Sequence, residues 1–186
     1  MIQLDLDQAL KGRRSIRSYV NKEVSIQLIR QVIEAGTFAP SAKNGQQWRF
    51  TVLGGKTKAD LTTVFRAELE NLSKKIGREN MGSSFSSCAI MEQAPIVIMV
   101  WNAGNKGWET ETQSVAAAIQ NMLLKAHSLG LGSLWVGDIF LADQALTRHL
   151  KKPWRLVAAV VLGWPASTPE PRPRKSVDEV TEFLIS

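Results

Sequence analysis

Residues 38–50 read Phe38-Ala39-Pro40-Ser41-Ala42-Lys43-Asn44-Gly45-Gln46-Gln47-Trp48-Arg49-Phe50. They separate a helical pattern that ends near Gly36 from an apolar stretch that starts near Trp48. A turn here needs Pro, Gly and Asn. It does not need a row of side-chain amides beside aromatics. An amide offers both a donor and an acceptor, which suits the polar edge of a flat heterocycle. The plainer reading is a polar loop between helix and strand, and on this stretch alone both readings stand.

Upstream, Ser25 is placed to cap the helix, with Val24 and Ile29 at hydrophobic-staple spacing. Leu28, Ile29, Val32 and Ile33 form its buried stripe. Earlier still, Leu6, Ala9 and Leu10 mark a short helix closed by Gly12. Arg13-Arg14-Ser15-Ile16-Arg17 follows, read as an extended piece with Arg13, Ser15 and Arg17 on one side. Three such side chains make an anion grip; the alternative is a solvated basic turn.

Downstream, Trp48 to Leu53 is a strand, followed by a helix capped by Thr57 in which Leu61, Val64, Phe65, Leu69 and Leu72 recur at helical period. Gly77 to Ser87 reads as a loop. Ile96 to Trp101, opened by Ala94-Pro95, is a buried strand. Asn102 to Trp108 is a second loop. A long helix from about Thr112 to Leu129 buries Val115, Ile119, Met122, Leu123 and Ala126, and its Ala116-Ala117-Ala118 patch admits a close neighbour. Leu131 to Val136 is a short strand broken by Gly137-Asp138. Asp143 caps a helix to about Leu150, and Arg155 to Leu162 is a strand. With four prolines from Pro165 to Pro173, the next stretch is an extended arm. Val177 to Ile185 reads as a short amphipathic piece. The alternation of strands with long helices predicts one layered sheet-and-helix domain.

The 186 residues, 44% hydrophobic and 22% charged, suit a globular domain with its own core. No run approaches the roughly 18 apolar residues of a membrane span, and Met1 to Leu10 lacks a secretory core. The cytoplasm is therefore expected. One cysteine, Cys88, and two histidines, His127 and His149, argue against a disulfide and against most metal sites. Cys88 reads as an inert core thiol. His127 and His149 read as cations suited to helix C-termini. The net charge is +6, and Lys and Arg are scattered along the chain with two tight clusters, at Arg13–Arg17 and at Arg172-Pro173-Arg174-Lys175. That fits a discrete phosphate better than a nucleic-acid track, since basic tracks interleaved with aromatics are missing.

No P-loop, nucleophile elbow or dinucleotide glycine motif is present. Side-chain acid–base chemistry has little support, so a cofactor is expected to carry any reaction. Arg13, Ser15, Arg17 and Arg174 suit a phosphate, and Asn44 and Gln46 the rim of a ring. Gly137 lets backbone approach a ligand closely. The residues alone lead to an anionic aromatic cofactor, with flavin mononucleotide the suggested one.

These motifs in order, with Glu34-Ala35-Gly36, Ala94-Pro95 and Gly163-Trp164-Pro165…Pro171-Arg172-Pro173-Arg174-Lys175, resemble the FMN-dependent nitroreductase family over nearly the whole chain. One departure is Gln47, where that family usually has Pro. The resemblance implies an α+β, three-layer α-β-α fold, with a central mixed, mostly antiparallel sheet flanked by helices. It implies a single FMN-binding domain over 1–186 with an extended arm from about 164, and an obligate homodimer with FMN at the interface. Carried over, Arg13, Arg14, Ser15 and Arg17 bind FMN from one subunit, and Pro40, Ser41, Asn44 and Gln46 from the other. Val136 and Gly137 lie along the ring near N5, and Arg174 closes on the phosphate, with Arg172 and Lys175 as further candidates. The Ser86-Ser87 region is a looser match to the ring. No metal is implied. The implied activity is NAD(P)H-dependent reduction of nitroaromatics, quinones or related small acceptors by a ping-pong mechanism, hydride passing through N5. The alternative is a flavin-binding or flavin-processing protein without that turnover. Phe85 and Trp108, in the two least patterned loops, are the expected substrate-pocket walls. Neither the physiological acceptor nor the choice between NADH and NADPH is written in the sequence.

Overall fold

The computed structural model describes residues 5–185. Residues 1–4, part of the stretch read as lacking a secretory core, and residue 186 of the expected domain lie outside it. In chain order the elements are α1 (Leu6–Gly12), α2 (Ile26–Thr37), β1 (Trp48–Gly54), α3 (Gly55–Ile76), α4 (Ser84–Gln93), β2 (Ile96–Asn102), α5 (Glu109–Ser128), β3 (Gly132–Val136), α6 (Asp143–His149) and β4 (Arg155–Gly163). Among the described residues no helix is long and apolar enough to cross a membrane.

The four strands lie in the order β1-β2-β4-β3, and every pair is antiparallel. The parallel component of the sheet is confined to a bridge between Ser15 and Ser133. β2 and β4 are central, so both their faces are covered and both read as nearly unbroken apolar runs. Alternate side chains sort to opposite sides. Val97, Met99, Trp101, Ala159 and Val161 join Leu61, Phe65 and Leu69 of α3, Met91 of α4 and Leu146 of α6. Ile98, Val100, Ala158, Val160 and Leu162 join Ile29 and Val32 of α2 and Ile119, Met122 and Ala126 of α5. The result is three layers, helix on sheet on helix. A bulge lets Trp101 pair with Leu156 directly after Val100 pairs with Ala158. It turns Leu156 back to the side of Trp101, as an extra residue in one strand must.

Ser25 caps α2 through its Oγ, which accepts from Leu28 N at 3.4 Å, and Val24 and Ile29 are both buried as a staple requires. α2 lies close on α5 because Gly36 has no side chain. A Cβ there would come within 2.9 Å of Met122 Cγ and 3.3 Å of the Ala118 carbonyl oxygen. This is the close neighbour that the alanine patch admits.

Several expectations need correction. α2 runs one residue past Gly36, to Thr37. α3 begins at Gly55 with Gly54 as its cap, and Thr57 Oγ1 donates back to the Gly54 carbonyl at 2.9 Å instead of capping. Asp143 is the first residue of α6, not its cap. α5 starts at Glu109, before Thr112. The largest difference is at Gly77–Ser87, which is not one loop: a 3₁₀ turn (Arg78–Met81) leads into α4 from Ser84, and Phe85 is helical. Serine competes with the backbone for hydrogen bonds and weakens the helical signal. Here Ser84 and Ser87 face inward with Cys88 and Met91, so α4 lacks the apolar stripe that would reveal it. Val177–Ile185 forms no helix and is exposed throughout.

Cys88 is fully buried, and burial with Glu92 nearby pushes its thiol up to about 12. Thiolate, the reactive form, is therefore scarce at ordinary pH. Native protein should resist iodoacetamide at pH 8 and be labelled at one site once unfolded, as read by mass spectrometry.

Candidate functional site

The basic segment after α1 is tied to the edge strand β3 by a single parallel bridge, Ser15 to Ser133. Ile16 N donates to the Ser133 carbonyl at 3.0 Å, and Ile16 packs against Gly132, where a Cβ would come within 2.8 Å of its Cγ2. Tyr19 is buried, its hydroxyl donating to the Ile16 carbonyl at 2.8 Å. Burial raises the pKa of this phenol, so it stays a neutral donor. The same segment anchors the C-terminal arm. Val20 N donates to the Trp164 carbonyl and Ala166 N to the Ser18 carbonyl, each at 3.0 Å, and Tyr19 bridges Pro165.

This anchoring brings the two basic clusters face to face. A cavity of about 140 Å³ has Arg13, Arg14, Ser15 and Arg17 on one wall and Glu170, Arg172 and Arg174 on the other. Arg13 is held below the usual guanidinium range by burial first, and then by the charges of Arg174 and Arg14. Like charges are crowded here at a cost to the fold alone, as in a site prepared for an anion. The strict alternation expected of Arg13, Ser15 and Arg17 does not hold, because Arg14 lines the same space. Arg172 belongs there beside Arg174, whereas Lys175 is not part of the lining.

Next to the cradle, His127 lies against Gly12. Burial, Arg14 and Arg13 all lower its pKa. His127 sits in the last turn of α5 as expected, but burial and the two arginines favour its neutral imidazole over a cation.

The amide loop has a shape of its own. Lys43, Asn44 and Gln46 are left-handed, with φ of 53°, 52° and 46°. Such backbone costs roughly 1 kcal/mol or more for a residue with a Cβ. Local bonds hold it: Gln46 N donates to Ser41 Oγ at 3.1 Å, Gln46 Nε2 to Asn44 Oδ1 at 3.3 Å, and Ala42 N to Ser114 Oγ of α5 at 3.0 Å. Asn44 and Gln46 remain exposed. Gln47, the departure from the family pattern, donates its Nε2 to the Ala42 carbonyl at 3.4 Å. Pro40 and Ser41 line a shallow groove with Thr110, Ser114 and Ala117 of α5. The cradle and the groove at Pro40 and Ser41 are lined by different residues.

Val136 is buried in the core, backbone and side chain alike. Gly137 is exposed, and a Cβ on it would meet no atom within 4 Å. Phe85 and Trp108 belong to different elements. Phe85 is half-buried on α4 with Arg78 stacked 4.0 Å above its ring. Trp108, 45% exposed, precedes α5 and carries Lys43 of the amide loop 4.9 Å from its ring centre.

The model of the nitroreductase family matches residues 10–164. This chain belongs to the nitroreductase family. It is 31% identical to an inferred NADH dehydrogenase/NAD(P)H nitroreductase of Methanothermobacter thermautotrophicus, over 91% of this chain and 82% of that one. It is 27% identical to the FMN reductase [NAD(P)H] of Bacillus subtilis, covering 95% and 74% respectively. Among solved structures it resembles an inferred nitroreductase in complex with FMN from Desulfovibrio desulfuricans, at 30% identity and a TM-score of 0.76, with 96% and 95% of the two chains covered. An FMN- and NADPH-dependent nitroreductase variant from a Sphingopyxis strain reaches a TM-score of 0.84 at 18% identity, over 97% and 99%, a likeness of fold alone.

In this nitroreductase-family chain, sequence reading missed two parts of the site. Glu170 enters the cradle with Arg172. Asp138, next to Gly137, accepts from Ser83 Oγ and Ser87 Oγ of α4. The available signal was the serine-rich run 83–87, whose density exceeds what a loop needs.

Proposed function

We propose that this protein is an FMN-dependent oxidoreductase that takes reducing equivalents from NAD(P)H and delivers them to nitroaromatic, quinone or related small acceptors in a ping-pong cycle. The observation that carries this reading is the arginine cradle, where two clusters far apart in the chain meet around one anion-sized cavity. The residues fit the group: the cradle matches a phosphate in charge and size, and the space open over Gly137 admits a ring close to backbone. When bound, FMN supplies the two-electron carrier chemistry that no side-chain set here offers.

The chain's own residues have binding and shaping roles. Arg13, Arg14, Arg17, Arg172 and Arg174 grip the phosphate, and Ser15 adds a hydroxyl. The exposed backbone at Gly137 would lie along the ring, with Val136 packed directly behind it. Pro40, Ser41, Asn44 and Gln46 serve the site of a second copy, since none of them lines the cradle of its own chain. The functional unit is thus a homodimer, each single-domain chain completing the other's site. Trp108 and Phe85 are the proposed acceptor-pocket walls.

The test begins with purified protein titrated with FMN. Protein that stays colourless sinks the proposal. Yellow protein is then reduced anaerobically with NADH or NADPH and reoxidised with nitroaromatics, quinones, enones and free flavin in turn. Bleaching followed by acceptor-dependent reoxidation is expected, and light scattering should give twice the chain mass.

The loop assignment has its own test. Asn44→Ala is expected to weaken FMN binding by about tenfold, one good hydrogen bond to a ligand. Asn44→Gly, which adopts the left-handed φ freely, separates lost contact from strain: both variants should lose affinity, while the glycine variant keeps the wild-type melting temperature. Wild-type FMN affinity in Asn44→Gly would overturn the assignment.

A further inference from the structure

Asp138 opens the 3₁₀ turn that follows β3. Its Oδ2 accepts hydrogen bonds from Ser83 Oγ at 2.7 Å and Ser87 Oγ at 3.0 Å. Both hydroxyls come from the N-terminal end of α4, and Ser83 is its cap residue. The Oδ1 atom is buried and has no donor among the described residues. The salt bridges found among those residues all lie elsewhere. The carboxylate is therefore answered by two hydroxyls and by the positive end of a helix, not by a cation.

For folding alone this arrangement is wasteful. A buried acceptor left without a donor costs about 1–3 kcal/mol. An apolar residue there would serve packing better, since Ile139 and Ala142 of the same turn are buried in the core. Unfavourable choices of this kind concentrate at sites where chemistry needs them. The immediate neighbour of Asp138 is Gly137, exposed and open on its outer side. Gly137 has no side chain of its own to fix its peptide plane, and its carbonyl accepts a long bond from Phe140 N at 3.4 Å. The serine clamp on Asp138 adds a polar tie between this turn and α4 to the packing of Ile139 and Ala142.

We propose that Asp138 is a positioning residue for the flavin. Held by Ser83 and Ser87, it fixes the Gly137 turn and keeps a negative charge behind the part of the cofactor lying along Val136–Gly137. The inference rests on the FMN reading above. Two effects follow from the geometry. Loss of the clamp frees the Gly137 backbone and weakens cofactor binding. Loss of the charge alone changes the potential: reduction places negative charge on a flavin, a nearby carboxylate opposes it, and the reduction potential is lowered.

Two variants separate these effects. Asp138→Asn keeps the shape and an acceptor for the serines but removes the charge. The Ser83→Ala/Ser87→Ala variant keeps the charge but removes the clamp. On FMN-loaded protein, Asp138→Asn is expected to shift the midpoint potential upward, read by dye equilibration, with FMN affinity within about twofold of wild type. The double serine variant is expected to lose about tenfold in affinity, read by quenching of FMN fluorescence, and Ser83→Thr/Ser87→Thr should restore it. A purely structural Asp138 would move the melting temperature and leave the potential alone. A yellow Asp138→Asn protein with unchanged potential overturns this inference and leaves the FMN reading intact. A wild-type protein that binds no FMN overturns both. If Asp138→Asn does not fold, the serine variant decides, and unchanged affinity in it overturns the proposal.

Discussion

Replacing Arg13 and Arg174 together by alanine should weaken FMN binding by about 100-fold to 10,000-fold, because each charge-assisted hydrogen bond is worth roughly 1.5–3 kcal/mol. The two residues face each other across the cradle, and Arg174 already adds to the burial that depresses the pKa of Arg13. Without an anion they repel. The same double substitution should therefore leave the melting temperature of cofactor-free protein unchanged or slightly raised. Wild-type protein should melt higher when FMN is added, as any ligand of the native state requires, and the variant should not. Thermal melts with and without FMN read both effects. A variant that keeps wild-type affinity would show that the phosphate is held elsewhere.

Trp101→Ala should destabilise the protein by about 3–5 kcal/mol, a large part of the roughly 5–15 kcal/mol of a typical domain. Trp101 is fully buried near the end of β2, and its Nε1 donates to Thr51 Oγ1 of β1 at 3.0 Å. Alanine leaves a cavity against α3 and removes the donor across the strand pair. Trp101→Phe keeps most of the volume and should cost about 1–2 kcal/mol, chiefly the lost hydrogen bond. Urea unfolding measures both. A lower midpoint at constant slope is expected, and a changed slope would mean that compactness had changed instead.

The parts legible in sequence were those whose cause is local. β2 and β4 announce themselves as apolar runs because both faces are covered. α5 shows a clean buried stripe, and each residue expected there is buried. The proline-rich arm could only be extended. The arginine clusters were visible as charge, although their meeting depends on the Tyr19–Pro165 bridge, which no local pattern announces. α4 was illegible because its inward face is built from serine and cysteine, so polarity reported a loop where packing makes a helix. The Asp138 clamp was hidden for a related reason. Its donors lie 55 and 51 positions away along the chain, and an aspartate after a glycine reads as turn chemistry. The amide loop was readable in composition but not in shape: nothing in Lys43, Asn44 and Gln46 as residue types requires three left-handed conformations.

The anion cradle has one wall before the first strand and the other after the last. Sheet and helices are complete at Gly163, whereas Arg172 and Arg174 come later. On the ribosome, every core element leaves the tunnel before the second wall does. On the proposed cofactor reading, a chain clipped after the final strand would lack that second wall, together with Trp164 and Pro165, which pack on the core and on Tyr19.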